Sequence, residues 1–296
     1  MDVSFIIVNY NTKDLTAQAI ESIYKHAKNL NFEVILIDNS STDGSADFIK
    51  IRFPKVKLIE NRENIGFGRA NNQGMEKAAG EYLFLFNSDA YLIDDSLQKL
   101  IERAGDIKNL GAISPLILNV DRTIQQSGGF FPTLTKVFWW MSFIDDLPFG
   151  LRLNPYHIDH DSFYKEERKL DWVTGAALII PKSVYNKVGG FDKNIFMYSE
   201  DIEICQRIKK AHLQIYFSPE SRLVHIGQGS SGKVSKNAII GEYKGLIYLY
   251  KKNSGWLSLQ ILRLLLKMGA LLRVAVFGVL GRKELSQIYE EAFQVA

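Results

Sequence analysis

Tyr82-Leu83-Phe84-Leu85-Phe86-Asn87-Ser88-Asp89 is the stretch that decides the fold. A short apolar run from Tyr82 to Phe86 reads as a strand buried on both faces, and it stops abruptly at a polar cluster. In an open α/β sheet that is where a buried strand gives way to a ligand crevice.

The chain before this stretch repeats the same alternation. Val3 to Val8 is a β-branched run followed by Asn9-Tyr10-Asn11-Thr12 and a helical pattern carrying Leu15, Ala19, Ile23 and Ala27. Phe32 to Ile37 is a second strand ending at Asp38-Asn39-Ser40-Ser41, with Thr42 or Asp43 capping the next helix. Val56 to Ile59 is a third strand and Gly66 to Ala79 a third helix. Strands alternating with helices imply a mainly parallel sheet. Asn9, Asp38 and Asn87-Ser88-Asp89 then mark three strand ends that converge on one crevice. Read singly, each is a cap or turn residue, and for Asp43 that reading is preferred.

Beyond Gly111 the pattern changes. A strand runs to Leu118, a turn follows at Asn119-Val120-Asp121-Arg122, and Ser127-Gly128-Gly129 leads into an irregular, aromatic segment from Phe130 to Lys169. A loop of that length is ordinarily functional or mobile. Its His157, Asp159, His160 and Asp161 read as a solvated loop, since no flanking element fixes their geometry. Order resumes at Asp171-Trp172-Val173-Thr174-Gly175-Ala176 and a strand through Ile180. Gly189-Gly190-Phe191-Asp192 precedes a helix carrying the acidic pair Glu200-Asp201.

The 296 residues suffice for one large α/β domain or two small ones, and 46% hydrophobic content supports a core. A net charge of +3 without a long Lys/Arg block argues against nucleic acid as a partner and suits a nucleotide or an anionic membrane. The single cysteine, Cys205, excludes an internal disulfide and reads as a small buried residue. Asp2 and the lack of a basic segment before the first strand do not describe a signal peptide, so a cytoplasmic location is expected.

Seven pieces together resemble a known family: Val8-Asn9-Tyr10-Asn11, Ile37 to Gly44, Glu63 to Asn72, Asn87-Ser88-Asp89, Gly189-Gly190-Phe191-Asp192, Glu200-Asp201 and His225 to Ser230. In this order they are similar to the family 2 inverting glycosyltransferases of the GT-A fold, in their bacterial rhamnosyltransferase-like branch. The resemblance implies an α/β GT-A domain: a Rossmann-like nucleotide-binding sheet with helices on both faces, followed by a C-terminal helical segment. It implies a catalytic domain over 1–236, with a nucleotide-sugar half (1–110) and an acceptor half (111–236), and a helical extension over 237–296.

The resemblance also implies the chemistry. A UDP- or dTDP-linked sugar would be the donor, and a hydroxyl of a glycan or lipid-linked glycan in cell-surface polysaccharide synthesis the acceptor. A divalent cation, Mg²⁺ or Mn²⁺, would offset the charge of the departing diphosphate. Asp89 would hold it with His225, while Asn87, where the family often has Asp, removes one formal charge. Gly227 to Gly232 would wrap the diphosphate with backbone N–H groups. Asp38 would accept the imide N–H of the base, Asn9 and Asn11 would line the base and ribose pocket, and Asn64 and Arg69 would sit at the diphosphate with Ser88 nearby. Inversion needs one base opposite the leaving group. Asp201 takes that role, with Glu200 binding acceptor or orienting the base. Trp172, as an exposed stacking ring, Thr174, Gly175 and Asp192 would form the acceptor side. The alternative is a non-catalytic nucleotide-sugar or glycan-binding module, and a nucleotidyltransferase is disfavoured because no Gly-rich basic loop follows the first strand.

Trp256 to Leu280 is apolar but interrupted by Arg263, Lys267 and Arg273. No uncharged stretch reaches the roughly 18 residues of a spanning helix. The three cations fall within about 120° of one another on a helix, a basic stripe that describes a peripheral anchor at the inner face of the membrane. The competing reading packs this helix on the catalytic domain or on a second subunit.

Overall fold

The computed structural model describes residues 1–227 and 236–296. In chain order the elements are β1 (Val3–Asn9), α1 (Lys13–His26), β2 (Phe32–Asp38), α2 (Ser45–Arg52), β3 (Lys57–Glu60), α3 (Phe67–Lys77), β4 (Tyr82–Phe86), β5 (Ala90–Leu92), α4 (Leu97–Asp106), β6 (Leu110–Leu118) and β7 (Gly128–Gly129). There follow α5 (Leu134–Met141), β8 (Arg168–Leu170), β9 (Trp172–Val173), β10 (Ala177–Pro181), α6 (Lys182–Val188), α7 (Glu200–Lys210), β11 (Gln214–His225), α8 (Lys236–Asn253), α9 (Trp256–Val279) and α10 (Lys283–Val295). They form two compact units: Met1–Gly128 with His160–Gly227, and Gly129–Asp159 with the described residues from Lys236 to Ala296.

The first unit is a mixed, mostly parallel α/β sheet in the order β3-β2-β1-β4-β10-β6-β11-β5, with β8 on β11. Its first half is the parallel doubly wound part, where β1 lies between β2 and β4 with Asn9 in register with Asp38. β10 then runs antiparallel between β4 and β6, setting Ala177 opposite Phe86. This reversal brings the segment before β10 to the same edge as the polar cluster after β4. β11 is parallel to β6 and antiparallel to β5, pairing His225 with Ala90. Every strand end named above therefore lies on one edge. The buried sheet face is held by Phe5, Phe84 and Phe86, whose rings lie 5.3 Å apart for Phe5–Phe84 and for Phe84–Phe86. Aromatic pairs at that spacing add to what their buried area contributes.

In the second unit the structure corrects two expectations. The segment from Phe130 is not irregular throughout: α5 forms within it, capped by the Thr133 side chain and with Val137 and Met141 buried one turn apart. The aromatic residues around them, buried and exposed alike, obscure that period in the sequence. The three cations of α9 do not share one outward stripe: Lys267 is exposed, Arg263 half-buried and Arg273 buried. Arg273 is 4% exposed and donates to the carbonyls of Met141 at 2.7 Å and Trp140 at 2.6 Å. Its guanidinium lies 4.4 Å from the Phe143 ring centre. Arg263 donates to the Ala296 carbonyl, and Lys267 lies over Phe293. Guanidinium groups satisfied by carbonyls and aromatic faces can be buried without a carboxylate partner. Leu257, Leu264, Met268 and Leu271 of α9 are exposed together with Lys267. Among the described residues no helix is long and apolar enough to cross a membrane.

Candidate active site

At the ends of β1 and β2 the site begins with Asn9, which is fully buried. Its amide donates to Asp38 Oδ1 and to the Ser41 hydroxyl, each at 2.9 Å, and its Oδ1 accepts from Thr12 and Thr16. Every polar atom of Asn9 is thus spent inside the protein, so it holds Asp38 in place. Asp38 accepts Ser41 N–H through its other oxygen. A carboxylate offers about four lone-pair positions, so capacity remains for a ligand N–H. Asn11, with φ of 55°, accepts from Thr42 N–H and closes the loops after β1 and β2 over each other. Asp43 binds both Lys13 N–H and Ser45 N–H, so one carboxylate caps the starts of α1 and α2.

Thr12 ties this group to the cluster after β4, its hydroxyl hydrogen-bonded to that of Ser88 at 3.0 Å. On the next loop Asn64 Oδ1 accepts from Asn39 at 2.8 Å and from Gly66 N–H at 3.0 Å. Gly66 has φ of +88°, and a Cβ there would lie 2.7 Å from the Phe196 carbonyl, so only glycine fits. Asn64 and Arg69 line a pocket of about 190 Å³ with Glu63, Ile65, Lys193, Asn194 and Phe196. Arg69 Nε donates to the Lys193 carbonyl, which leaves its terminal nitrogens for anions. A larger concavity of about 420 Å³, lined by Tyr82 and Pro181, sits at the opposite ends of β4 and β10, away from the polar strand ends.

The pairing of β5 with β11 sets Asp89 against His225. Asp89 Oδ1 lies 3.2 Å from His225 Nε2, and Asn87 Nδ2 lies 3.1 Å from the same nitrogen. Gly227 N–H donates to Asp89 Oδ2 at 3.0 Å. Burial works to raise the Asp89 pKa, but the hydrogen bond and positive charge of a protonated His225, together with the backbone N–H groups, outweigh it and hold the carboxyl below its ordinary value; a cation would take the place of that proton. A carboxylate oxygen and an imidazole nitrogen at this separation are both electron-pair donors, a pair that a cation between them satisfies. Two such protein ligands completed by phosphate oxygens and water are an ordinary set for Mg²⁺ or Mn²⁺. Among the described residues no third His, Cys, Asp or Glu joins them. The glycine-rich run from Gln228 to Gly232 lies outside the described residues.

The acidic pair opens α7. Tyr198 and Ser199 precede it with φ of 71° and 70°, a backbone uncommon for residues with side chains and found at sites that surrounding structure over-determines. Asp201 Oδ2 accepts Gly175 N–H at 3.2 Å and Oδ1 accepts Ile202 N–H at 2.8 Å. The residue after Gly175, Ala176, accepts Asn87 N–H at 3.0 Å, which puts the two acidic clusters on adjacent strand ends. Glu200 is 7% exposed and its Oε2 has no hydrogen-bond partner among the described residues. Burial, helped by the Asp201 charge, raises its pKa to about 8.

Arg207, one of the residues sequence reasoning missed, grips Glu203 and the carbonyls of Val188 and Gly190, fastening α7 to the Gly189-Gly190-Phe191-Asp192 turn. Asn72 completes that attachment through both polar atoms of Phe191's peptide groups. The i, i+4 spacing of Glu203 and Arg207 was its available signal. Asp192 itself caps Asn194 within the turn. Trp172 is corrected: at 7% exposure it is a buried ring, because β9 is covered by α7, and it offers no stacking surface. Thr174 bonds Ala176 N–H beside Gly175. Cys205 is fully buried, which raises its thiol pKa.

A mostly parallel α/β sheet with Asp89 and the Glu200–Asp201 pair on one edge is the arrangement of a group-transfer enzyme. Residues 4–162 match the model of glycosyl transferase family 2, and the chain belongs to that family. It is a glycosyltransferase, and the relatives it resembles include rhamnosyltransferases. It is 29% identical over 237 residues to the N-acetylglucosaminyl-diphospho-decaprenol L-rhamnosyltransferase of Mycobacterium tuberculosis, covering 75% of this chain and 76% of that one. It is 24% identical to the rhamnosyltransferase WbbL of Escherichia coli K12 over 75% of this chain and 83% of the other. Among solved structures, the mannosyltransferase PcManGT of Pyrobaculum calidifontis, in complex with GDP-Man and Mn²⁺, superposes with a TM-score of 0.60 at 15% identity, covering 98% and 85% of the two chains. GalNAc-T7 with UDP, GalNAc and Mn²⁺ gives 0.59 at 18% identity over 85% of this chain and 48% of that one. These likenesses establish the GT-A fold.

Proposed function

We propose that this glycosyltransferase moves a sugar from a UDP- or dTDP-linked donor to a hydroxyl of a glycan or lipid-linked glycan in cell-surface polysaccharide synthesis, with inversion and with Asp201 as the base. The observation that carries the reading is the division between two adjacent carboxyls. Glu200 is buried, which raises its pKa to about 8, while the Asp201 carboxyl is held at the helix start by the N–H groups of Gly175 and Ile202. In a single displacement the acceptor oxygen bonds to the anomeric carbon as its proton passes to Asp201. The bond to the diphosphate breaks with its electron pair leaving on the phosphate oxygen.

Asp38 receives the base N–H, Asn9 and Asn11 shape its loop, and Asn64 and Arg69 with Ser88 serve the diphosphate side. Asp89 and His225, with Asn87 beside them, would hold a divalent cation, which would supply charge neutralisation for the leaving diphosphate. The Mn²⁺ and nucleotides in the two solved relatives support this assignment. Thr174 and Gly175, next to Asp201, form the acceptor side, and Asp192 shapes the turn below it. Residues 1–110, joined by His225, then serve the donor and the rest of 111–236 the acceptor, with 237–296 as the helical extension, in whose unit 129–159 also lies.

The lipid-linked acceptor named for the mycobacterial relative supports a peripheral place at the inner face of the membrane. The exposed apolar face of α9 supports it too, with Trp256 74% exposed and no Asp or Glu between Glu242 and Glu284. The test of the donor assignment is calorimetry against UDP, dTDP, GDP and CMP with and without Mn²⁺. Metal-dependent binding of UDP or dTDP is expected; binding of GDP alone, or of none, would contradict it.

A further inference from the structure

Gln125 stands directly behind His225 and is the residue that decides which way its imidazole works. Its position is fixed by the backbone. Ile124 bridges to Leu118, Gln125 N–H donates to the Ile117 carbonyl at 2.9 Å, and Leu118 is in register with Val224 of β11. The side chain therefore arrives beside His225 from a neighbouring sheet position.

The amide orientation follows from its surroundings. Gln125 Nε2 donates to the backbone carbonyl of His225 at 3.0 Å and to Asn119 Oδ1 at 2.9 Å. Both partners are acceptors, so the nitrogen of the amide must face them. Its Oε1 then faces His225 Nδ1 at 2.7 Å, and an amide oxygen can only accept. The proton of a neutral imidazole is thereby placed on Nδ1, and the lone pair on Nε2, which faces Asp89 Oδ1 at 3.2 Å.

We infer that Gln125 is a positioning residue that fixes the Nδ1–H tautomer and the ring orientation of His225, so that Nε2 is presented with Asp89 to a divalent cation. The inference rests on the metal reading of the Asp89–His225 pair proposed above. It assigns a role to a residue outside the seven motif pieces. Outer-sphere partners of metal-binding histidines act in this way, and their loss typically weakens metal binding about 10- to 100-fold.

The test uses the full chain, with histidine ¹⁵N–¹H long-range spectra of the metal-free protein at alkaline pH and calorimetric titration with Mn²⁺. His225 in the wild type is expected as the Nδ1–H tautomer. Gln125→Leu is expected to shift it toward Nε2–H and to weaken Mn²⁺ binding by at least about tenfold. Gln125→Glu, which keeps an acceptor at Nδ1 but sets its other oxygen against the carbonyls of His225 and Asn119, is expected to retain the tautomer and to bind Mn²⁺ more tightly than Gln125→Leu. An Nε2–H wild-type signal, or equal Mn²⁺ affinity in Gln125→Leu and wild type, would overturn the role of Gln125. A wild type with the Nδ1–H tautomer that binds no Mn²⁺ would overturn the metal reading itself, which the spectra distinguish from failure of the positioning.

Discussion

The backbone N–H of Gly175 donates to Asp201 Oδ2 at 3.2 Å, so a strand end and a helix start from distant parts of the sequence share one carboxylate. The antiparallel entry of β10 makes this contact possible, since it returns the chain to the edge where Asn87 meets Ala176.

The pairing of Asp89 with His225 predicts that Asp89→Asn and His225→Ala each weaken Mn²⁺ binding, measured by calorimetry with UDP or dTDP present, by more than about tenfold. Both should leave the melting temperature close to that of wild type. Unchanged Mn²⁺ affinity in both variants would remove this pair from the metal site.

Glu200 gives a pH signature. Its folded pKa of about 8 lies above the ordinary 4.5, so between these values the folded chain holds a proton that the unfolded chain has released. Its contribution to stability is fully present below 4.5 and is lost as pH rises through about 8. The melting temperature of wild type should therefore fall relative to Glu200→Gln across that window. Parallel curves for the two proteins would contradict a buried, protonated Glu200.

Gly66 carries a backbone that side chains avoid, with the Phe196 carbonyl where a Cβ would sit. Gly66→Ala should cost about 1–3 kcal/mol from the backbone alone, read by denaturant unfolding. It should also weaken nucleotide binding by displacing Asn64, which accepts the Gly66 N–H. A fully stable variant would show that the loop relaxes freely.

Much of this was legible because strand ends announce themselves. Tyr82 to Phe86 is the strand that its apolar run describes, and Asn9, Asp38 and Ser88 meet through Thr12 as the crevice requires. The antiparallel β10 was hidden because an apolar run carries no direction. Trp172 could not be placed by type, since an aromatic ring suits a core as well as a sugar. The anchor and packed-helix readings of α9 stayed open because helical periodicity gives a stripe but not the side that faces in. Arg273 went inward because the carbonyls of Trp140 and Met141 were there to receive it. Gln125 carried no spacing signal, as its function depends on β6 and β11 lying side by side.

The exposed leucines of α9 predict binding to vesicles containing anionic lipid, measured by co-sedimentation, and its loss in the double variant Leu264→Glu, Leu271→Glu. High salt should weaken the wild-type interaction. Equal binding of wild type and variant would exclude this face as the contact, and a dimer dissociated by the same substitutions would assign it to a second copy.

The most direct test of the account is Asp201→Asn, followed by two readings on the same sample: nucleotide affinity by calorimetry and sugar transfer to acceptor. The account predicts UDP or dTDP binding near the wild-type value and transfer reduced by about 10²- to 10⁴-fold, as for removal of a general base. Transfer at the wild-type rate with intact nucleotide binding would contradict Asp201 as the base.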